Sequence, residues 1–173
     1  DLNEPHSPLE QARTWLGDQT IIASRMGNPA HSIVVTDFRL RDTGFERMLV
    51  LAPDGTSPTR AGRISQRLLE FEIYRIMALR GLPIAKMVGA HLGQSELALA
   101  NIIDSLEHKD CNDQALLNRL IALAAAVERI TAEHSYRFAA TAAYHKLVNE
   151  RISELRESPI SGTQTIGEFM KRR

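Results

Sequence analysis

Three short strand-like stretches lie near the start of the chain, at residues 20–26, 32–40 and 45–51, and side chains at alternate positions of the last two can be assigned to opposite faces. Alternation with a period of two is typical of β-strands that bury one face. Turn-forming residues separate the stretches, at Gly27-Asn28-Pro29 and at Asp42-Thr43-Gly44. Because connections this short join strands that run in opposite directions, the pattern predicts a three-stranded antiparallel meander.

A short helix is predicted before the first strand. Ser7 stands where an N-cap hydroxyl is favoured, Pro8 takes the first helical position, and Glu10 completes the capping-box pattern. Gly17 predicts the end of this helix. Residues 1–56 are therefore expected to form a first domain of one helix and the meander, and so small a sheet needs cover from the helices that follow.

Residues 57–158 carry apolar residues at helical spacing and are predicted to form a second, helical domain. Ser57-Pro58 begins a helix that is expected to stop at Gly81-Leu82-Pro83. Gly93-Gln94-Ser95 predicts a break between two shorter helices that follow. The helix that begins at Ser57-Pro58 is expected to bury Ile64, Leu68, Phe71, Ile76 and Met77.

A much longer helix is predicted after Asp113, because neither glycine nor proline occurs again before Ser158. About 45 residues at 1.5 Å per residue give a rod of roughly 67 Å. Its apolar seam steps by four and three residues through Leu116, Leu120, Leu123, Val127 and Ile130. The same register next passes through the polar residues His134, Arg137 and Thr141. It ends on three positions that are expected to need cover from a second molecule, Tyr144, Val148 and Leu155.

Residues 159–173 are the third predicted part of the chain. Thr165-Ile166-Gly167-Glu168 repeats the capping-box pattern, so a helix is expected to begin there and to be truncated by the end of the sequence. Together the three parts predict an α+β fold, with a small three-stranded antiparallel sheet packed on a mainly helical remainder that includes one very long helix.

Four segments of the chain carry a family resemblance. They are TDFRL at residues 36–40, GRISQRLLEFEIYRIMAL at 62–79, SYRF at 135–138 and QTIGEFM at 164–170. With them the chain resembles domain of unknown function 3422, an uncharacterised family of bacterial proteins described as predicted membrane-anchored. The resemblance implies an internal, soluble and cytoplasmic segment of a longer protein, whose membrane-inserted part is absent from this chain. It implies no reaction.

Composition excludes several classes of protein. A chain of 173 residues that is 43% hydrophobic and 24% charged is predicted to fold into a globular structure rather than to stay disordered. Twenty-one basic and 21 acidic side chains leave no net charge, which argues against nucleic-acid binding through bulk electrostatics. The single cysteine, Cys111, fits a reducing compartment. No apolar run reaches the roughly 18 residues of a membrane span.

The common catalytic and cofactor motifs do not occur in the sequence. It lacks the glycine-rich dinucleotide and P-loop patterns, the H-E-x-x-H zinc motif and paired C-x-x-C motifs. We therefore predict no catalytic residue, no cofactor and no metal ligand.

Three arginines are the candidates for anion binding. Arg60, Arg63 and Arg67 fall on one face of their predicted helix, near the end where backbone amides also favour an anion. The alternative is a solvated face on which Arg67 pairs with Glu70 one turn later. On this pattern alone, anions are expected to bind weakly.

A second set of polar residues is predicted to lie at a helix–helix interface. Its members are Glu70, Glu72, Arg75, His134, Tyr136 and Arg137. Arg75 and Arg137 both continue apolar helical faces, so each is expected to pair with a carboxylate of the other helix. For Arg137 the predicted partners are Glu72 or Glu70, and for Arg75 they are Glu128 or Glu133. The alternative is that the polar stretch around His134 faces water.

Three functional hypotheses remain. The first is a non-catalytic assembly domain of a membrane-anchored bacterial protein, which associates with itself through the long helix and binds no nucleic acid. The second is a gating or sensing domain, because a cytosolic domain followed by a long helix resembles CorA-type magnesium transporters in layout. The third is an enzyme without a recognisable motif.

Overall fold

The structure, a computed structural model, describes residues 7–17, 20–27, 31–107 and 112–172. It has the predicted α+β fold. Within the described ranges the elements are α1 (Pro8–Leu16), β1 (Ile22–Met26), β2 (Ser32–Thr36), β3 (Met48–Leu51), α2 (Pro58–Leu79), α3 (Leu82–Glu107), α4 (Asp113–Leu155), β4 (Ser158–Pro159) and α5 (Ile166–Lys171).

The chain divides into two compact units. Unit 1 consists of Asp1–Ile73 and Leu147–Arg173, and unit 2 of Tyr74–Lys146. Unit 1 therefore contains the sheet, and unit 2 contains α3 together with the adjoining parts of α2 and α4.

Helix α1 begins and ends where the sequence predicts. Ser7 Oγ accepts a hydrogen bond from Glu10 N at 3.2 Å, and Pro8 occupies the first helical position. Gly17 ends the helix at φ +86°, a left-handed conformation that glycine adopts without a steric penalty. The helix buries three residues at helical spacing, Leu9, Ala12 and Leu16. They join the sheet residues Ala23 and Val35 in one hydrophobic cluster.

The sheet has four antiparallel strands in the order β3-β2-β1-β4, so the predicted number of three strands is wrong. The additional strand, β4, pairs with β1 through Ser24–Pro159 and Arg25–Ser158. Two residues cannot show alternation, and proline argues against a strand, so the sequence pattern does not indicate β4. Proline is tolerated here because β4 lies at the edge of the sheet.

Both faces of the sheet are covered by unit 1. Ala23 and Val35 face the cluster that contains α1. On the opposite face, the residues at alternate positions are also fully buried, namely Ser24, Met26, Val34 and Thr36. Because both faces are covered, every residue of β1 and β2 is buried or half-buried.

Three aromatic rings from separate parts of unit 1 pack together. Phe71 of α2 lies edge-on to Phe38 with the ring centroids 6.0 Å apart, and Phe169 of α5 stacks on Phe38 at 5.2 Å. Phe38 has φ +47°, a left-handed conformation that costs a residue with a Cβ about 1–2 kcal/mol. The two ring contacts hold Phe38 in that conformation.

The first turn of α5 is bound by a carboxylate from the segment that follows α4. Glu157 Oε2 accepts hydrogen bonds from Ile166 N at 3.0 Å and from the buried Ser24 hydroxyl at 2.9 Å. Glu157 Oε1 accepts from Gly167 N at 2.7 Å. The predicted capping box of Thr165 and Glu168 is also present and closes the same turn. One side chain thus connects β1, the end of α4 and α5.

Helices α2 and α3 differ from the prediction in two respects. Leu68 and Phe71 are buried as expected, but Ile76 is 49% exposed. The break predicted around Gly93 does not occur, because α3 runs without interruption from Leu82 to Glu107. A glycine in a helix costs about 1 kcal/mol, which strong helix formers such as the neighbouring leucines and alanines offset.

Helix α4 is 43 residues long, close to the predicted length. Within unit 1, Val148 and Leu155 are only 6% and 2% exposed. The expectation that these two positions need a second molecule for cover is therefore wrong, because their own chain covers them.

Helices α3 and α4 run antiparallel within unit 2. The start of α3 lies against the second half of α4, since a Cβ added at Gly81 would stand 2.3 Å from Thr141 Oγ1 and 3.2 Å from Thr141 Cβ. The end of α3 is joined to the start of α4 by a short connection. Tyr74 and Tyr144, with ring centroids 6.1 Å apart, pack at the same end as Gly81.

We expect the substitution Gly81→Ala to lower the free energy of unfolding by about 1–3 kcal/mol, because the methyl group overlaps Thr141. Gly89→Ala is the matched control in α3: a Cβ there meets nothing within 4 Å, so alanine should stabilise the helix by up to about 1 kcal/mol. Urea unfolding of both variants measures the difference.

Adding Thr141→Ala to Gly81→Ala should restore much of the lost stability, because it removes Oγ1 and Cγ2, the two Thr141 atoms nearest to the new methyl group. Equal effects of Gly81→Ala and Gly89→Ala would contradict the close approach of α3 to α4.

Candidate functional site

A cleft of about 540 Å³ lies on unit 1 and is lined by all three predicted anion-binding residues. Three segments form it: the end of β1 with the residues that follow, the first half of α2, and the end of α4. The residues that line this arginine cleft are Met26, Gly27, His31, Arg60, Arg63, Ile64, Arg67, Ser153, Glu154 and Arg156.

The three arginines of α2 line the cleft together, as their spacing predicts. Arg60, Arg63 and Arg67 stand three and four residues apart and are all exposed. Helix α2 has no acidic residue in its first turn, where acidic side chains are usual. The positive end of the helix macrodipole is therefore not balanced by an acidic side chain of this turn, and Arg60 and Arg63 lie in the first two turns. Whether they bind an anion stays a prediction.

Arg156 brings a fourth guanidinium into the cleft, and sequence reasoning missed it. It follows the last residue of α4 and has φ +48°, the left-handed conformation in which helices commonly end on glycine. Gly27 N donates to Leu155 O at 3.0 Å and so attaches the end of α4 to the end of β1. An arginine at a position that favours glycine is the one signal that could have drawn attention to it.

The alternative prediction, a pair between Arg67 and Glu70, is replaced by other bonds. Arg67 Nη1 donates to the backbone oxygen of Glu154 at 3.1 Å. Glu70 accepts a hydrogen bond from Gln66 Nε2 at 2.9 Å and forms an ion pair with Arg151, whose Nε lies 3.0 Å from Glu70 Oε2. Arg151 also pairs with the Glu154 carboxylate. These bonds join α2 to the last turns of α4 and fix the two helical walls of the cleft.

His31 is held at the rim by two hydroxyl groups. Its Nδ1 lies 2.9 Å from Ser32 Oγ, and its Nε2 lies 3.3 Å from Thr56 Oγ1. Thr56 already donates its single hydroxyl hydrogen to Pro53 O at 2.6 Å, so Oγ1 must accept from His31 Nε2–H. The ring is therefore a fixed part of the wall.

Charge is concentrated at the cleft. Four arginines and one glutamate among the lining residues give a local charge of 4 − 1 = +3 with neutral histidine, on a chain whose net charge is zero. The glutamate carboxylate is itself bonded to Arg151 outside the lining. The arginine cleft is thus a local positive region.

A second hollow of about 370 Å³ is lined by Arg39, Arg41 and Arg47, and the last two have structural partners. Arg41 Nη2 lies 2.7 Å from Asp37 Oδ2 and 3.0 Å from Leu16 O. Arg47 donates to Trp15 O at 3.1 Å and stands 4.8 Å above the Trp15 ring. Both side chains therefore anchor the end of α1.

The residues predicted at a helix interface occupy varied environments. Glu70 is half-buried and bonded to Arg151, as described above, and Glu72, Arg75 and Arg137 are also half-buried. The His134 side chain is 14% exposed, with Nε2 at 3.9 Å from Glu133 Oε1, whereas Tyr136 is 81% exposed. The interface role of this set, and the pairs expected for Arg75 and Arg137, stay predictions.

Metal and membrane sites were sought in the described part of the chain. Residues 7–17, 20–27, 31–107 and 112–172 contain no group of three or more histidine, cysteine, aspartate or glutamate side chains that could hold a metal ion. In the same ranges, no helix combines the length and the apolar character that crossing a membrane requires. Cys111 lies outside the described residues.

Comparison with known proteins identifies the chain by family alone. Neither a curated protein nor a solved structure matches it. One family model matches over residues 1–173, the whole of the chain. The chain therefore belongs to the family described as protein of unknown function (DUF3422).

Proposed function

We propose that this chain is a non-catalytic assembly domain of a bacterial membrane-anchored protein, and that it associates with a second copy of itself through unit 2. The observation that carries the proposal is a set of exposed apolar side chains near the end of α3 and the start of α4. This apolar end patch consists of Leu99, Ile103, Leu106, Leu117, Leu120 and Ile121.

The apolar end patch is too exposed for an ordinary helix surface. Its six side chains are between 40% and 60% exposed, while Ile102 and Leu116 next to them are buried. Monomeric soluble proteins rarely expose a large contiguous apolar surface, and such a surface is typical of a protein–protein contact. Covering it gains about 25 cal/mol for each Å² removed from water.

A second copy of the same chain is the partner that fits this patch. Leu99, Ile103 and Leu106 follow helical spacing on α3, and the patch residues of α4 do the same, so each helix offers a packing ridge. In a two-fold arrangement, α3 of one copy contacts α4 of the other and the contact occurs twice. The zero net charge of the chain favours association because copies do not repel each other.

Opposite charges flank the patch in a way that suits such a pair. Asp104 and Glu107 lie beside the patch on α3, and Arg119 lies beside it on α4. Setting α3 against α4 of a second copy brings these charges together. Membrane attachment and bacterial origin, the other parts of the proposal, are supported by the sequence resemblance described above.

Sedimentation equilibrium tests the self-association. We expect the native chain to form a dimer or a larger symmetric oligomer, and Ile103→Gln with Ile121→Gln to be a monomer with an unchanged melting temperature. These two side chains are 52% and 57% exposed, so the fold loses little. Leu40→Gln is the matched control, because Leu40 is an exposed apolar residue of unit 1 and should leave the oligomer intact. A native chain that is monomeric at its highest soluble concentration would refute the proposal.

A further inference from the structure

We propose that the arginine cleft of unit 1 binds a small anion that carries more than one phosphate group. This binding site is separate from the assembly proposed for unit 2 and does not depend on it. Three independent features of the cleft support it: its charge and volume, the polarity of α2, and the conformation of Arg156.

Charge and volume set the class of ligand. Four guanidinium groups line the cleft, and one phosphate monoester carries about −1.5 to −2 at neutral pH, so the cleft offers donors for more than one phosphate group. A volume of about 540 Å³ lies within the range of small-molecule sites. His31 is the one ring in the lining, and both of its nitrogens face hydroxyl groups.

The polarity of α2 gives the second argument. Arg60 and Arg63 lie in the first two turns of α2, and the first turn carries no acidic residue. An anion in front of this end of the helix is attracted by both the guanidinium groups and the positive end of the helix.

The conformation of Arg156 gives the third argument. Its φ of +48° costs stability in any residue other than glycine, so the chain retains a guanidinium where glycine would be less strained. Strained residues cluster at functional sites. Arg156 lines the cleft from the end of α4 and Arg63 lines it from α2, so a ligand between them can meet planar guanidinium donors from two walls.

Arg156→Gly is the decisive variant. Glycine relieves the backbone strain, so we expect the melting temperature to stay the same or to rise, while the affinity for pyrophosphate falls about tenfold or more. Arg63→Gln should weaken binding in the same way. Arg39→Gln is the matched control, since Arg39 lines the second hollow and should leave the affinity unchanged.

Isothermal titration calorimetry with pyrophosphate, inorganic phosphate and sulfate measures the specificity. We expect pyrophosphate to bind most tightly, with an affinity that falls as salt is added. If pyrophosphate binds no better than sulfate, or binds Arg156→Gly and the native chain equally well, the cleft is not a diphosphate site and the proposal is overturned.

Vesicle sedimentation distinguishes a lipid headgroup from a soluble ligand. Vesicles of phosphatidylcholine with and without phosphatidic acid are compared, each with the native chain and with Arg156→Gly. Sedimentation that needs both phosphatidic acid and Arg156, and that pyrophosphate competes away, assigns the phosphates to a lipid. Pyrophosphate binding without vesicle sedimentation assigns them to a soluble molecule. Absence of both overturns the proposal.

Discussion

Replacing Glu157 by alanine is expected to lower the free energy of unfolding by about 3 kcal/mol. The carboxylate accepts hydrogen bonds from two backbone amides of α5 and from the buried Ser24 hydroxyl, and alanine leaves all three donors without this acceptor. Hydrogen bonds to a charged group are stronger than neutral ones, and the negative charge also favours the helix N-terminus. Urea unfolding followed by circular dichroism measures the loss.

Glu154→Ala is the control for this prediction. Glu154 is also a glutamate at the end of α4, but its carboxylate pairs with Arg151 at the surface, so its removal should cost less than about 1 kcal/mol. Gly167→Ala gives a second test, because a Cβ there would stand 2.5 Å from Glu157 Oε1 and displace the carboxylate. The effects of Glu157→Ala and Gly167→Ala should be far from additive. Additive effects would show that the two residues act separately.

Replacing Phe71 by alanine is expected to cost about 3–5 kcal/mol, because a fully buried aromatic ring is lost and a cavity remains. The loss extends beyond the ring itself. Phe38 has a left-handed backbone and is held by Phe71 on one side and Phe169 on the other, so removing Phe71 frees a strained loop residue. Thermal and urea unfolding of the variant measure the effect.

Phe45→Ala provides the comparison for Phe71→Ala. Phe45 is 73% exposed, so its removal should change the free energy of unfolding by less than about 0.5 kcal/mol. A cost below 1 kcal/mol for Phe71→Ala would mean that unit 1 collapses around the missing ring and that the three-ring cluster contributes little.

The features that the sequence predicts are those encoded by neighbouring residues. Strand-like apolar runs between turn-forming residues identify β1, β2 and β3, and both N-caps lie within one helical turn of the groups they bind. The absence of glycine and proline predicts the length of α4. In each case the physical cause lies within a few residues of its effect.

The features that the sequence does not predict depend on distant partners. Glu157 binds Ser24, which lies 133 residues away along the chain, and no local pattern marks such a pair. The same holds for the cleft: Arg60, Arg63 and Arg67 share a helix and could be grouped in advance, whereas Arg156 joins them through the fold. The break predicted at Gly93 is wrong for a different reason. The local signal is present, but the helix formers around Gly93 outweigh its effect, and α3 continues through it.

The shortness of β4 also protects the molecule against aggregation. Exposed sheet edges invite pairing with strands of other chains, which leads towards fibrils. β4 ends this edge of the sheet after two residues, and Pro159 has no backbone N–H to offer an incoming strand. Uncontrolled growth of the sheet is thus blocked on the β4 side, and partially unfolded chains can add strands there only after β4 has detached.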